Sequence, residues 1–121
     1  MAWKFNSHEA VFIQISNRLR GEIVNGRYPP DTQFPSVRQL AAEAAVNPNT
    51  MQKALVSLEE QGLLITHGTL GRFVTSDTDV LNAARERIRQ ATVRDFLVQA
   101  RALGMTKQEL IHYIVEEECE Q

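Results

Sequence analysis

The sequence predicts a mainly α fold with one small β-hairpin, and three observations carry that expectation. Apolar residues recur at helical spacing along most of the 121 residues. Ser36 and Asn47 each open a short helix, with a tight turn between the two. One stretch punctuated by Gly68 and Gly71 has the look of two strands folded back on each other.

From about Glu9 to Val24, Val11, Phe12, Ile15, Leu19 and Ile23 fall along one stripe, with Arg18, Arg20 and Glu22 outside it. This is a first helix, closed near Asn25-Gly26. The next stretch, Tyr28 to Phe34-Pro35, holds three prolines within seven residues and cannot be helical. It is expected to be a linker strapped to the core by Tyr28 and Phe34.

Ser36 stands three before Gln39, the spacing of a capping box, and opens a second helix. Asn47 followed by Pro48 is an N-cap with proline at the first helical position, and opens a third. Steps of roughly 100° from Pro48 put Met51, Ala54, Leu55 and Leu58 on one side of that third helix. Asn49, Gln52, Lys53 and Val56 fall on the other, with Thr50 flanking. The apolar side must be buried, so amide, hydroxyl and ammonium groups remain outside, near free backbone N–H groups and the positive end of the helix dipole. Asn and Gln side chains can pair with adenine edges, and Lys with guanine or phosphate. Two helices joined in this way are how a protein presents a helix to the major groove of DNA.

Gln61-Gly62 stops the third helix, and Leu63 to Thr66 reads as a strand. His67 to Gly71 is a turn, and Arg72 to Thr75 is a returning strand. A hairpin in this place is a wing, whose His67, Thr69 and Arg72 can donate to phosphate or to minor-groove acceptors. Beyond Ser76-Asp77 a long helix is expected from about Thr78 to Leu103, with Leu81, Ala84, Ile88, Phe96 and Leu103 recurring and Val93, Leu97 and Val98 broadening the stripe. Gly104 stops it, and Thr106 with Glu109 makes another capping box. A last helix follows to about Glu118, with Leu110, Ile111, Ile114 and Val115 on one face. Two helices joined by a short loop form an antiparallel pair too small to bury its own apolar face. A second copy of the same pair is the economical partner. The architecture is therefore a winged helix-turn-helix over 1–76 followed by an antiparallel two-helix dimerisation tail over 77–121. Leu81, Ala84, Ile88, Phe96, Leu103, Leu110, Ile111 and Ile114 are the expected interface.

Composition narrows the function classes. With 43% hydrophobic and 23% charged residues, the chain is neither disordered nor a coat. No apolar run is long enough to span a bilayer, and the start Met1 to Phe5 lacks the apolar stretch of a signal peptide, so a cytoplasmic location is expected. Cys119 is the only cysteine, which excludes an internal disulfide and a thiol-rich metal site. The net charge of −2 lacks the basic excess common in nucleic-acid binders. Residues 1–76 hold seven Lys/Arg against six Asp/Glu, net +1, and the remainder six against nine, net −3. Binding would rest on a local patch of Arg38, Lys53, Arg72 and Lys4, with few phosphate contacts per subunit. Such a protein needs a second copy to bind tightly.

Taken in order, the pieces from about Ala10 to Val74 resemble the GntR family of bacterial transcription regulators. The matching stretches are Val11-Phe12-Ile13-Gln14-Ile15, Phe34-Pro35-Ser36-Val37-Arg38-Gln39-Leu40-Ala41, Val46 to Ala54, and Gly71-Arg72-Phe73-Val74. The two-helix tail looks like that of the YtrA subfamily, which lacks the large effector domain of other members and dimerises through the tail. The resemblance implies that Arg38 contacts DNA phosphate or base, that Asn47, Asn49, Thr50 and Gln52 form the major-groove surface with Lys53 nearby, and that His67, Gly68 and Arg72 are wing contacts. Asp31 and Ala45 stand where the family commonly has glycine, which implies a slightly different backbone there, since a side chain disfavours positive φ.

The expected function is a sequence-specific, homodimeric repressor that binds an inverted repeat in double-stranded DNA and controls its own operon. A winged-helix module that docks another protein is the alternative, with Val56 its sole aliphatic anchor on the outer face. Glu109, His112 and Glu116 share a helix face but have no ligand from another element, so they read as a solvated end and not a metal site. No nucleophile-base pair, phosphate loop or paired carboxylate suggests an enzyme, and no pattern asks for a cofactor. A small-molecule effector would have to bind between the tail helices or between tail and winged helix, where Phe96, Leu103 and Tyr113 are available to line a pocket, and a change in tail packing would then alter the spacing of the DNA-reading helices.

Overall fold

The computed structural model describes residues 2–117. Five helices and one antiparallel hairpin follow in the order α1 (Val11–Val24), α2 (Val37–Ala44), α3 (Pro48–Glu60), β1 (Leu64–Thr66), β2 (Arg72–Val74), α4 (Thr78–Ala102) and α5 (Lys107–Glu116). The chain divides into two compact units, 1–86 and 87–121, so the first turns of α4 belong to the first unit. The expected helix end at Glu118, and Cys119, lie outside the described residues.

In the first unit α3 packs across both α1 and α2. Ile15, Leu19 and Ile23 of α1, Leu40, Ala41 and Ala44 of α2, and Met51, Ala54, Leu55 and Leu58 of α3 form the buried centre. β1 and β2 pair in the register Leu64 to Val74, Ile65 to Phe73 and Thr66 to Arg72, with Leu64 and Val74 closing the core. Leu81 and Ala84 of α4 complete it at 5% and 4% exposure. Arg85 fixes α4 there, donating from Nε and Nη2 to the Val24 carbonyl at the end of α1 (3.0 and 2.7 Å). That carbonyl is one of the acceptors a helix end leaves without an internal partner.

The linker does more than strap the core with aromatics. Tyr28 and Phe34 do meet, with ring centroids 4.7 Å apart. In addition its backbone pairs with β2 as a third edge: Phe34 N–H donates to the Arg72 carbonyl, Val74 N–H to the Thr32 carbonyl, and Gln33 bridges Phe73. The Gln33 side chain donates to the Leu70 carbonyl at 2.6 Å and so reaches the wing tip. The lead-in is tied down as well. Trp3 is buried, its N–H donates to the Ala44 carbonyl, and the Arg18 guanidinium stacks 3.9 Å over its ring.

Both capping boxes form, Ser36 with Gln39 and Thr106 with Glu109, and Asn47 accepts from the Asn49 N–H ahead of Pro48. The ends of α2 and α3 share one geometry. After α3 the Leu63 N–H reaches the Leu58 carbonyl and the Gly62 N–H the Glu59 carbonyl, and after α2 the Val46 and Ala45 N–H groups reach Ala41 and Ala42 in the same way. This closure needs a left-handed residue. Gly62 supplies it freely at φ 80°, whereas Ala45 is forced to φ 58°; Asp31, in the linker and not at a helix end, also stands at φ 62°. The backbone at Ala45 and Asp31 therefore keeps the left-handed conformation natural to glycine, correcting the expected departure. The motif's two hydrogen bonds and the packing of α3 behind them hold Ala45 in place.

The second unit, taken by itself, buries little. Among its described residues only Ala100 and Leu110 are buried, while Val93, Phe96, Val98, Leu103, Ile111, Tyr113, Ile114 and Val115 are all exposed, from 48% to 79%. Leu81, Ala84 and Leu110, expected at a subunit interface, are thus covered within their own chain. Ile88 is half-buried, and Phe96, Leu103, Ile111 and Ile114 keep their apolar surface open.

A left-handed alanine costs roughly 1–2 kcal/mol, partly offset in a glycine variant by the freer unfolded chain, so Ala45→Gly should stabilise the protein by about 0.5–1 kcal/mol. A higher urea midpoint with an unchanged m value would show it, and a lower midpoint would refute the strain.

Candidate DNA interface

Because Met51, Ala54, Leu55 and Leu58 are essentially inaccessible, the opposite side of α3 is fixed outward. Asn49, Gln52 and Lys53 are exposed and Thr50 is half-buried. Asn47 is exposed too, but its Oδ1 accepts the Asn49 N–H at 2.7 Å, so its first task is to cap the helix. The Lys53 ammonium sits 4.1 Å over the Phe12 ring, a cation–π contact that holds it beside the start of α1. Val56, the one aliphatic residue of this outer face, is 37% exposed. Arg38 is exposed in the first turn of α2, whose capped N-terminus lies across an open groove of about 690 Å³ from Thr66, Leu70, Gly71 and Arg72 of the wing.

The wing tip is a short 3-10 turn over Gly68–Leu70, closed by His67 N–H donating to the Gly71 carbonyl at 2.9 Å. His67 is exposed and rests edge-on against Phe73, with centroids 4.9 Å apart. Arg72 points elsewhere. Its Nε and Nη2 both lie 2.9 Å from Glu59 Oε1, and Thr66 Oγ1 donates to Glu59 Oε2 at 2.5 Å. One carboxylate from the last turn of α3 thereby gathers both strands of the wing. The Thr66 hydroxyl first, and the Arg72 guanidinium with it, hold the Glu59 carboxyl below the usual glutamate range against the opposing effect of its partial burial. Arg72, expected to contact DNA, spends its charge on this link, and its side chain is only 19% exposed.

The structure thus brings Asn49, Thr50, Gln52 and Lys53 onto one outer surface, with Arg38 at a neighbouring helix start and His67 and Gly68 at the wing tip. Sequence reasoning did not foresee Glu59. The available signal was its position seven residues after Gln52, two turns on along the same helix face. At the far end of the chain, Glu109 is committed to its capping box. Its carboxyl is held below the ordinary range by the Thr106 backbone N–H and hydroxyl. Among the described residues no three His, Cys, Asp or Glu side chains are grouped to hold a metal. No described helix is long and apolar enough to cross a membrane.

Three helices, a paired wing and an outward polar face on the third helix define a winged helix-turn-helix. The model of the bacterial regulatory proteins of the gntR family matches residues 13–74. The chain belongs to that family and is a transcriptional regulator with a DNA-binding winged helix. It is 27% identical to the HTH-type transcriptional regulator YhcF of Bacillus subtilis over 92% of both chains. It is 33% identical to Rv1152 of Mycobacterium tuberculosis over 86% of this chain and 82% of that one, and 26% identical to the repressor YtrA of Bacillus subtilis over 91% and 85%. A GntR family regulator from Listeria monocytogenes superposes with a TM-score of 0.85 at 29% identity, covering 94% of this chain and all of that one. The DNA-binding domain of AraR, solved in complex with operator ORX1, shares the fold over 62% of this chain and 95% of its own, with a TM-score of 0.54 at 24% identity. The family and these relatives are regulators, not enzymes.

The Glu59 link has a testable pH signature. Its folded pKa is depressed, so its contribution is fully present above the unfolded glutamate value and is lost as pH falls through the lower folded value. Wild type should melt above Glu59→Gln at neutral pH, and the two should converge in the acid range below the ordinary glutamate pKa. A gap that stays constant with pH would assign the effect to packing.

Proposed function

We propose that the protein is a homodimeric repressor that binds an inverted-repeat operator and controls its own operon in the cytoplasm. In this reading residues 1–76 bind DNA, and the helices of 77–121 hold the dimer and carry any response to a small-molecule effector. The carrying observation is a pairing of opposites: α3 offers a short polar reading surface, while 87–117 leaves eight large apolar side chains exposed. Large apolar side chains left open in that number support an interface, because water penalises leaving them exposed. The reading surface offers few cations, which limits phosphate contacts per subunit and makes two-site binding necessary for affinity. A symmetric dimer would set two α3 helices in major grooves about one turn, roughly 34 Å, apart or a multiple of it, and that symmetry calls for an inverted repeat. YtrA is named a repressor, and AraR is seen on an operator, which supports the same role here.

Binding of the purified chain to duplexes from the DNA upstream of its own gene tests this. Asn49→Ala should weaken binding to the preferred duplex by about 1–3 kcal/mol and relax its sequence preference, while Arg38→Ala should weaken all duplexes alike and lower the salt slope by about one. Equal affinity for upstream and random DNA would end the reading.

Dimerisation is checked separately by sedimentation. Ile111→Glu or Phe96→Glu should give monomers that have lost tight operator binding, since each buries a charge in an apolar interface. Variants that still sediment as dimers would move the interface elsewhere.

A further inference from the structure

The clamp on Arg72 reaches one residue farther. Besides its contacts to Glu59, Arg72 Nη2 lies 3.5 Å from Gln52 Oε1, so wing and reading helix are joined through a side chain on the reading surface. A guanidinium has only donors, and the amide oxygen is the sole acceptor on Gln52. The carboxamide therefore has one sensible orientation, oxygen toward Arg72 and NH2 away from it. The anchor of this arrangement is firm: Glu59 Oε1 takes two donors of Arg72 at 2.9 Å, and Oε2 takes Thr66.

Resting on the DNA-reading function above, we infer that Arg72 is a positioning residue that sets the base preference of Gln52 by turning its amide oxygen toward the wing, so that the N–H donors face the major groove. An unconstrained glutamine pairs with adenine by using both ends of its amide, the oxygen accepting from N6 and the nitrogen donating to N7. Gln52 with its oxygen turned to the wing lacks the first of these. Guanine presents N7 and O6, both acceptors, to the same edge and suits a pure donor, whereas the adenine N6 amino group meets it donor to donor. Arg72 acts without touching DNA. Its charge is matched by Glu59, so it adds little to the counterion release that phosphate contacts produce.

The test is selection of duplexes from a random pool by the full chain, followed by affinities at several salt concentrations. Wild type should enrich guanine at one position of each half-site, with about a tenfold preference over adenine there. Arg72→Met should bring that preference to within about twofold, or turn it to adenine, while the other positions and the salt slope stay as they were. Gln52→Glu gives a second reading that leaves the wing link intact. One of its oxygens stays on Arg72, the other faces the groove as an acceptor, and the selected base should move to cytosine, whose N4 donates. Arg72→Met selecting the wild-type sequences would overturn the inference. So would a uniform loss of affinity with a salt slope lower by about one, which would make Arg72 a phosphate contact. A wild-type chain that enriches no sequence would instead remove the DNA-reading function on which the inference stands.

Discussion

Burial of Met51, Ala54, Leu55 and Leu58 against α1 and α2 decides which side of α3 meets solvent, and the placement of Asn49, Gln52 and Lys53 follows from it. Met51, Leu55 and Leu58 each remove apolar area from water worth about 1.5–3 kcal/mol, more than the outward polar groups can gain by turning inward. The helix cannot rotate by a quarter turn without exposing one of them and burying an amide or ammonium. The turn before α3 is held to the same demand. Ala45 accepts a left-handed backbone because the angle between α2 and α3 is set by this packing and not by the comfort of one residue.

The wing is coupled to that helix by polar groups and not by core area. Only Leu64 and Val74 anchor its strands deeply, while Glu59 collects Thr66 and Arg72 and Gln33 crosses from the linker to Leu70. A two-stranded hairpin is marginal alone. The linker edge bridging at Phe73 gives it a third extended segment to pair with, and the carboxylate gives it a fixed position beside the reading surface. A protein with few spare cations gains from such rigidity, since side chains already in place lose less entropy on binding.

The two units follow different economies. The first closes a core around α3 and draws Leu81 and Ala84 of α4 into it, with Arg85 capping α1. The second leaves most of its large apolar residues in water, a state that association relieves.

The sequence by itself determined what is local. Ser36 with Gln39, Asn47 with Pro48 and Thr106 with Glu109 act across three residues or fewer, so the starts of α2, α3 and α5 were legible, as was the outer face of α3 from its period. Tertiary structure alone decided what depends on distant partners. Trp3 on Ala44, Gln33 on the wing, Arg85 on Val24 and Arg72 on Glu59 join residues that no spacing rule connects. The tail shows the division most plainly. Leu81, Ala84, Phe96 and Leu103 recur on the same helical stripe, yet the first two are buried and the last two exposed, because periodicity says which side of a helix is apolar and only the neighbouring elements say what covers it.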